Sequence, residues 1–429
     1  MKILRKTNLL IMALLLLGFG PRVLAADLMV AENGAGGAYA TITAAIAAAV
    51  DGDRVIIVPK SGGAAYGETL TIDKSLQFLC ANEGQQFKVQ GNITINPSNG
   101  MEVTFIGMYN LSGSIDGSSS LSAGDRCVVN IMNCNFEAGN VNFNYDNYKL
   151  NLVSSVVNGQ VALRYGRVLG NQITNNGTAV GVGTDAYPTN DTIWIVGNKI
   201  VADYWSGGSY AGINYNNTSQ FFYISNNYIK FEGNYNYSGR SSYGIWVSGN
   251  KDSSVGRNTI LNNTLKRIEY TSHSQNNVYA IAVDNTPANS KVDLANNLIL
   301  ATSSFTIVNG LRGLSNSGVV SSSYAWMNEF ITTPFNGISD DGTNYTSSNT
   351  TIDTDGRPAG GSDCINAGNA DSIYYDIDLT RNDIGCYGGS FTMDNYFPIT
   401  GAARVFFMMA PRRITVGNTL NIEAESFDR

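Results

Sequence analysis

The chain reads VLGNQI at 168–173, IVGNKI at 195–200, ISNNYI at 224–229, VGRNTI at 255–260 and LANNLI at 294–299. In each copy an asparagine stands two places before an isoleucine: Asn171, Asn198, Asn227, Asn258 and Asn297. Weaker copies, MNCNF at 132–136 and VSSVV at 153–157, place Cys134 and Ser155 there. Successive members lie 21, 16, 27, 29, 31 and 39 residues apart, so a fixed centre alternates with a loop of changing length. Side chains alternate across a strand, so the asparagine and the isoleucine share one face. If that face is interior, stacked coils set amide over amide. Each amide then donates and accepts along the stack, which removes the cost of burying it. The pattern predicts an all-β solenoid with those five asparagines as a structural ladder.

A second motif precedes three of the copies: YAGINY at 210–215, YGIWV at 243–247 and YAIAV at 279–283. Its residues Ile213, Ile245 and Ile281 stand 16, 15 and 18 places before Ile229, Ile260 and Ile299, which gives each unit two short strands. Upstream, Thr41 to Val50 (TITAAIAAAV) reads as a helix with Ile42, Ile46 and Ala49 on one face. A lone amphipathic helix ahead of many strands reads as a cap over the open first coil. At the start, Lys2, Arg5 and Lys6 precede the apolar run Leu9 to Phe19, and Val23-Leu24-Ala25 supplies small residues for cleavage. Residues 1–25 are therefore expected to be a signal peptide, with no transmembrane segment in the mature chain.

Charged residues are only 14% of the chain, while Gly, Asn, Ser and Tyr are abundant, which suits strands joined by turns. A net charge of −7 with no basic stripe argues against a nucleic-acid partner. The five cysteines, Cys80, Cys127, Cys134, Cys364 and Cys386, show no metal-ligand spacing. They are expected to be buried or bridged, Cys127 with Cys134 and Cys364 with Cys386 being the nearest pairs.

The stretch 36–79, GGAYATITAAIAAAVDGDRVIIVPKSGGAAYGETLTIDKSLQFL, resembles the opening of pectin-lyase-like right-handed parallel β-helix proteins. SDCINAGNADSIYYDIDLTRNDIGCYGG at 362–389 resembles the closing motif of bacterial surface β-helix proteins of the choice-of-anchor type. The resemblance implies a right-handed parallel β-helix over 27–390 and a secreted or outer-surface location in a Gram-negative-type bacterium. After it, 391–429 reads as a linker and the start of a β-sandwich-like module, with a hairpin about Gly417-Asn418. Because the superfamily carries lyases, hydrolases, epimerases and adhesins, the fold alone names no activity.

A hydrolase would place two carboxylates on adjacent coils. The outward column one past each ladder residue reads Asn135, Val156, Gln172, Lys199, Tyr228, Thr259 and Leu298, and that after the second motif reads Asn214, Trp246 and Ala282. Neither holds an acidic pair, Asp340-Asp341 lies outside the ladder, and His273 stands in a Ser/Asn-rich loop. A uronate lyase would need a basic residue and a carboxylate-held cation. The bases Arg240, Lys251, Arg257, Lys266 and Arg267 are here, but Asp252, Glu269, Asp284 and Asp293 are scattered among them. Asp376, Asp378 and Asp383 are weak calcium candidates, the alternative being that this stretch ties down the last coil with Arg381 paired to an acid.

Aromatics are denser than acids: residues 145–246 hold twelve of the 23 tyrosines and three of the four tryptophans. Flat rings with polar tips stack on sugar faces, which makes Trp246, Tyr204, Trp205, Tyr235 and Tyr237 the candidate ligand-binding residues. Alternation from Ile245 points Trp246 outward and places Tyr215 in the core. The expected function is a non-catalytic exported protein presenting a rigid surface to polysaccharide or cell-envelope glycans. A polysaccharide (uronate) lyase and a structural stalk or adhesin module are the alternatives.

Overall fold

The asparagines stack. Asn171, Asn198, Asn227, Asn263 and Asn297 form one column, and each Oδ1 accepts the backbone N–H of the ladder residue one coil earlier. Each Nδ2 also reaches a main-chain carbonyl of the preceding coil: Leu152, Val168, Ile195, Ile224 and Ile260. Ser155 and Cys134 continue the column, the Cys134 N–H lying 3.1 Å from the Ser155 hydroxyl. One member differs from expectation. Asn258 opens the strand Asn258–Leu261 of another sheet, and among the described residues its side chain bonds Phe222 N–H and the Ser290 hydroxyl. The ladder residue of that coil is Asn263, five places on. VGRNTI and LNNTL both fit an asparagine two places before an apolar residue, but only the second follows the corner where coils turn.

The computed structural model describes residues 25–122, 124–203, 208–232, 240–252, 256–268, 277–314, 318–338, 340–397, 404–409, 417 and 419–427. The signal peptide read at 1–25 lies outside these, Ala25 excepted, as do Tyr204, Trp205, Tyr235, Tyr237 and His273. Among the described residues no helix is long and apolar enough to cross a membrane.

Three long parallel sheets make the walls of a right-handed parallel β-helix. Sheet A has twelve strands, from Asp27–Val30 to Val319–Ser323; sheet B has ten, from Phe87–Val89 to Trp326–Met327. Sheet C has eleven, from Leu70–Ile72 to Ile331–Asn336. In-register pairing piles like on like inside. Ile200 follows Ile173, then Ile229, Leu265 and Ile299 in sheet B, while Ile213, Ile245, Ile281 and Leu311 follow one another in sheet C. Phe78 and Phe105 stack at 4.8 Å. Tyr215 is buried in the core, as its phase predicts, its hydroxyl on the Gln220 carbonyl.

Helix α1, Ile42–Ala48, caps the first coil with Ile42, Ala45 and Ile46 buried. The Thr41 side chain accepts from Ala44 N–H, and the Glu68 carboxylate takes the N–H groups of Ile42 and Thr43. Lys74 binds the carbonyls of Ile46, Ala47 and Ala49 at the other end, so both ends have partners of complementary charge.

The last strand of the stack ends at Asn336, and one partial coil follows, in which Asp340 and Tyr345 bridge in parallel to Ser322 and Trp326, so the coils stop well short of 390. From about residue 346 to 397 the chain then runs back along the outside as a strap over sheet B and its corner with sheet A. Cys364 and Ile384 cover Leu298 and Leu300, while Cys386 and Met393 cover Tyr228. Strands Arg404–Met409 and Glu423–Phe427 pair antiparallel as expected and lie on sheet A. There Arg167 ion-pairs with Glu423 and Glu425, and its guanidinium sits 4.2 Å from the Phe407 ring centroid.

Corner residues explain where the strap can lie. The position before each ladder residue is left-handed, φ being 64° at Gly170, 67° at Gly197, 54° at Asn226, 52° at Asn262 and 53° at Asn296. Asn226 donates to the Cys386 and Gly388 carbonyls, and Asn262 to Asn382, Asp383 and Gly385. Asn296 accepts from Asn369 N–H. At the glycine corners the Tyr396 ring presses down instead: a Cβ on Gly197 would lie 2.1 Å from it.

Candidate functional site

Sheet C keeps an outer face that the strap does not cover. Its strands Tyr210–Asn216, Ser242–Gly249, Val278–Asp284 and Ile307–Leu314 share one irregularity. Register pairs Ala211 with Tyr243 and then Ile213 with Ile245, omitting Gly212 and Gly244; Ala280 and Gly310 are omitted in the next coils. These small residues face inward beside the isoleucines. A Cβ on Gly244 would lie 2.5 Å from Leu265 Cδ2, and one on Gly310 would lie 2.4 Å from Met327 Sδ. Two consecutive inward residues shift the alternation, so positions three apart emerge on the same side.

Tyr243 and Trp246 therefore both face outward, and their rings are parallel to within 9° at a centroid separation of 4.7 Å. Tyr279 of the next coil stacks on Tyr243 at 5.2 Å. The Arg312 guanidinium ends the row, 4.1 Å from Tyr279. Asp284 ties the row together, its Oδ2 accepting from Trp246 Nε1 at 3.1 Å and from Arg312 Nη2 at 2.7 Å. The indole N–H is thus engaged, and Trp246 offers a ring face rather than a donor. Asp284 Oδ1 and Arg312 Nε are buried with no hydrogen bond among the described residues. Of the five proposed ligand-binding residues the structure describes Trp246, half-buried and outward as expected.

The same strands begin at a corner that sequence reasoning passed over. Asp203 and Glu232 end the neighbouring strands Lys199–Asp203 and Tyr228–Glu232, one place beyond the pair Ala202 and Phe231. Adjacent coils thus do carry an acidic pair, four residues further along than the column scanned for one. Burial raises the Asp203 carboxyl above the usual range. The Tyr210 hydroxyl, raised by burial and then by the charges of Glu232 and Asp203, donates to the Glu232 carbonyl. Arg267, buried beside Phe305, is pulled down to about 10 by desolvation, against the opposing fields of Tyr210 and Glu232.

The bases weighed for lyase chemistry do not converge. Arg257 pairs with Asp293 on sheet A at 3.3 Å, and Lys251 is held by the Thr189 and Ser219 carbonyls. Asp340 and Asp341 order their own turn through Gly342, Thr343 and Asn344. Among the described residues no three carboxylate, thiol or imidazole side chains are placed to hold a metal ion. Of the weak calcium candidates, Asp376 accepts from the N–H groups of Asp383 and Gly389, Asp383 from Asn366 N–H, and Asp378 from Thr380. Arg381 meets the Ala367 and Gly368 carbonyls, not the acid expected for it. All five thiols are free; burial pushes Cys127, Cys134 and Cys386 to about 12 and Cys364 to about 11.

The three sheets and their register define the class of protein, a right-handed parallel β-helix. No protein-family model matches the sequence, and no curated protein matches it. Among solved structures the chain is similar to the pectate lyase Pel9A, at 18% identity and a TM-score of 0.40, covering 86% of this chain and 98% of that one.

Proposed function

We propose that this chain is an exported β-helix protein, displayed on or released from a bacterial surface, that holds polysaccharide on the outer face of sheet C without cleaving it. The observation that carries the reading is the stacked row Trp246, Tyr243 and Tyr279, closed by Arg312 and braced by Asp284. Successive coils repeat their outward positions at about 4.8 Å; Tyr243 is 5% exposed with its faces against Trp246 and Tyr279, so the row offers a sugar a rigid line of ring edges and the half-exposed Trp246. Rigid rings lose little rotamer freedom on binding, which favours retention.

Native electrophoresis through gels containing neutral or uronate polysaccharides tests it. Retardation of the wild type by one of these polymers, reduced tenfold or more in Trp246→Ala with an unchanged circular dichroism spectrum, is the expected result. Undiminished retardation of the variant, or none for the wild type, removes the reading and leaves a structural stalk or adhesin module. A second reading, uronate lyase, is favoured by Asp203 and Glu232 meeting Tyr210 and Arg267 at one corner. It requires release of an unsaturated, ultraviolet-absorbing product, lost in Glu232→Gln; no product from any uronate polymer refutes it.

A further inference from the structure

The strap does not close completely on the helix. Between it and sheet A lies a cavity of about 200 Å³. Its floor is one outward column of sheet A, in which register sets Thr259 between Tyr223 and Asp293. The strap supplies the opposite wall through Tyr374, Ser390 and Phe391. Tyr223 and Phe391 meet edge to face at 5.8 Å, which fixes two apolar walls. Arg257 stands at the mouth, its side chain 72% exposed, paired with Asp293 at 3.3 Å. The Thr259, Ser390 and Tyr374 hydroxyls carry no hydrogen bond among the described residues.

We propose that this cavity is a binding site for a single neutral pyranose, either a free monosaccharide or the end residue of a glycan. Drug-sized ligands occupy roughly 300–1,000 Å³, so this smaller space admits one ring and not an oligosaccharide. Apolar walls suit the C–H face of a pyranose, and three unengaged hydroxyls suit its equatorial hydroxyl groups. Asp293 and Arg257 hydrogen-bond sugar hydroxyls as acceptor and donor. Because they neutralise each other, the cavity has no net charge to favour a carboxylate-bearing sugar. Tyr374 belongs to the same cluster: burial raises its hydroxyl, with Asp293 raising it further and Arg257 opposing. The site is separate from the sheet C face and does not depend on polysaccharide binding there.

Saturation-transfer difference NMR on the whole protein, with the methyl glycosides of glucose, galactose and mannose and with galacturonate as the anionic control, tests the proposal. At least one neutral glycoside should receive saturation, and more strongly than galacturonate. Thr259→Phe, which fills the cavity from an outward strand position, should abolish the signal that persists in Trp246→Ala. Tyr374→Phe, which keeps the ring and removes one hydroxyl, should weaken affinity by up to about tenfold and remains informative if Thr259→Phe misfolds. Signal lost in Trp246→Ala belongs to the sheet C face and signal that persists in it belongs to the cavity, so that failure at this cavity and failure of the sheet C reading are told apart. The proposal is overturned by absence of transfer from every neutral glycoside, by preference for galacturonate, or by undiminished binding in both cavity variants.

Discussion

Replacing Asn198 by alanine tests the ladder where it is fully connected. In the wild type the side chain takes part in four hydrogen bonds. Its Oδ1 accepts from Asn171 N at 2.9 Å and from Asn171 Nδ2 at 3.0 Å. Its Nδ2 donates to Val168 O at 2.8 Å and to Asn227 Oδ1 at 2.9 Å. After Asn198→Ala, the Asn171 Nδ2 keeps the Leu152 carbonyl and the Asn227 Oδ1 keeps the backbone N–H of residue 198. The Asn171 N–H keeps nothing, and Asn171 is wholly buried. One orphaned buried donor costs about 1–3 kcal/mol and each of the other three lost bonds about 1 kcal/mol, so the loss should reach about 4–6 kcal/mol. Asn258→Ala is the matched control. It is equally buried, but its bonds to Phe222 N–H and the Ser290 hydroxyl are 3.3 and 3.2 Å long. Its loss takes the side-chain acceptor from the buried Phe222 N–H and one further long bond, and should cost about 2–4 kcal/mol. Urea unfolding followed by tryptophan fluorescence measures both. Solenoids can unfold in stages, so hydrogen exchange of peptides spanning 168–173 should accompany it, with protection falling in Asn198→Ala alone. Equal losses in the two variants, or less than about 1 kcal/mol for Asn198→Ala, would refute the reasoning.

Two further changes probe the strap. Burial raises the Asp376 carboxyl to about 6, despite amide hydrogen bonds from Gly389 and Asp383 that lower it. The native state therefore binds this proton more tightly than the unfolded chain does, and stability is lost as pH rises from about 4 through about 6. Asp376→Asn should be free of that loss, so melting temperatures of variant and wild type should diverge in the variant's favour from about pH 4 to pH 7; a constant difference would count against it. Gly197→Ala forces a Cβ into the Tyr396 ring at a φ of 67°. It should cost about 1–2 kcal/mol for the backbone and also lift the strap, seen as faster proteolysis within 391–397; unchanged proteolysis would show that Tyr396 does not anchor it.

What was legible in the sequence is whatever repeats one coil apart. Ile213, Ile245 and Ile281 stand in register as read, as do four of the five ladder asparagines, because inward positions are dictated by identical neighbours above and below. Asn258 misled because spacing alone cannot separate a strand-opening asparagine from a corner asparagine when both precede an apolar residue by two. Trp246 was placed outward by alternation. Its neighbour Tyr243 was grouped with it but not counted among the ligand-binding residues, and alternation puts positions three apart on opposite faces; the bulge at Gly244 reverses that. The signal was present in the small residue before each isoleucine of YAGINY, YGIWV and YAIAV. Asp203 and Glu232 were missed because only columns beside the repeated motifs were scanned.

The strap was illegible for a different reason: the corner asparagines that hold it are 73 to 162 residues away along the chain. Yet the coils record where it lies. The corner before each ladder residue demands a positive φ, which both glycine and asparagine tolerate. Glycine occurs at 170 and 197, where an aromatic ring covers the corner and no side chain would fit. Asparagine occurs at 226, 262 and 296, where strap backbone groups approach and need hydrogen-bond partners. Backbone conformation leaves the two residues interchangeable, so the switch from GN to NN along the stack reflects what covers the corner. The change from ring to backbone cover coincides with it, between the corners at Gly197 and Asn226.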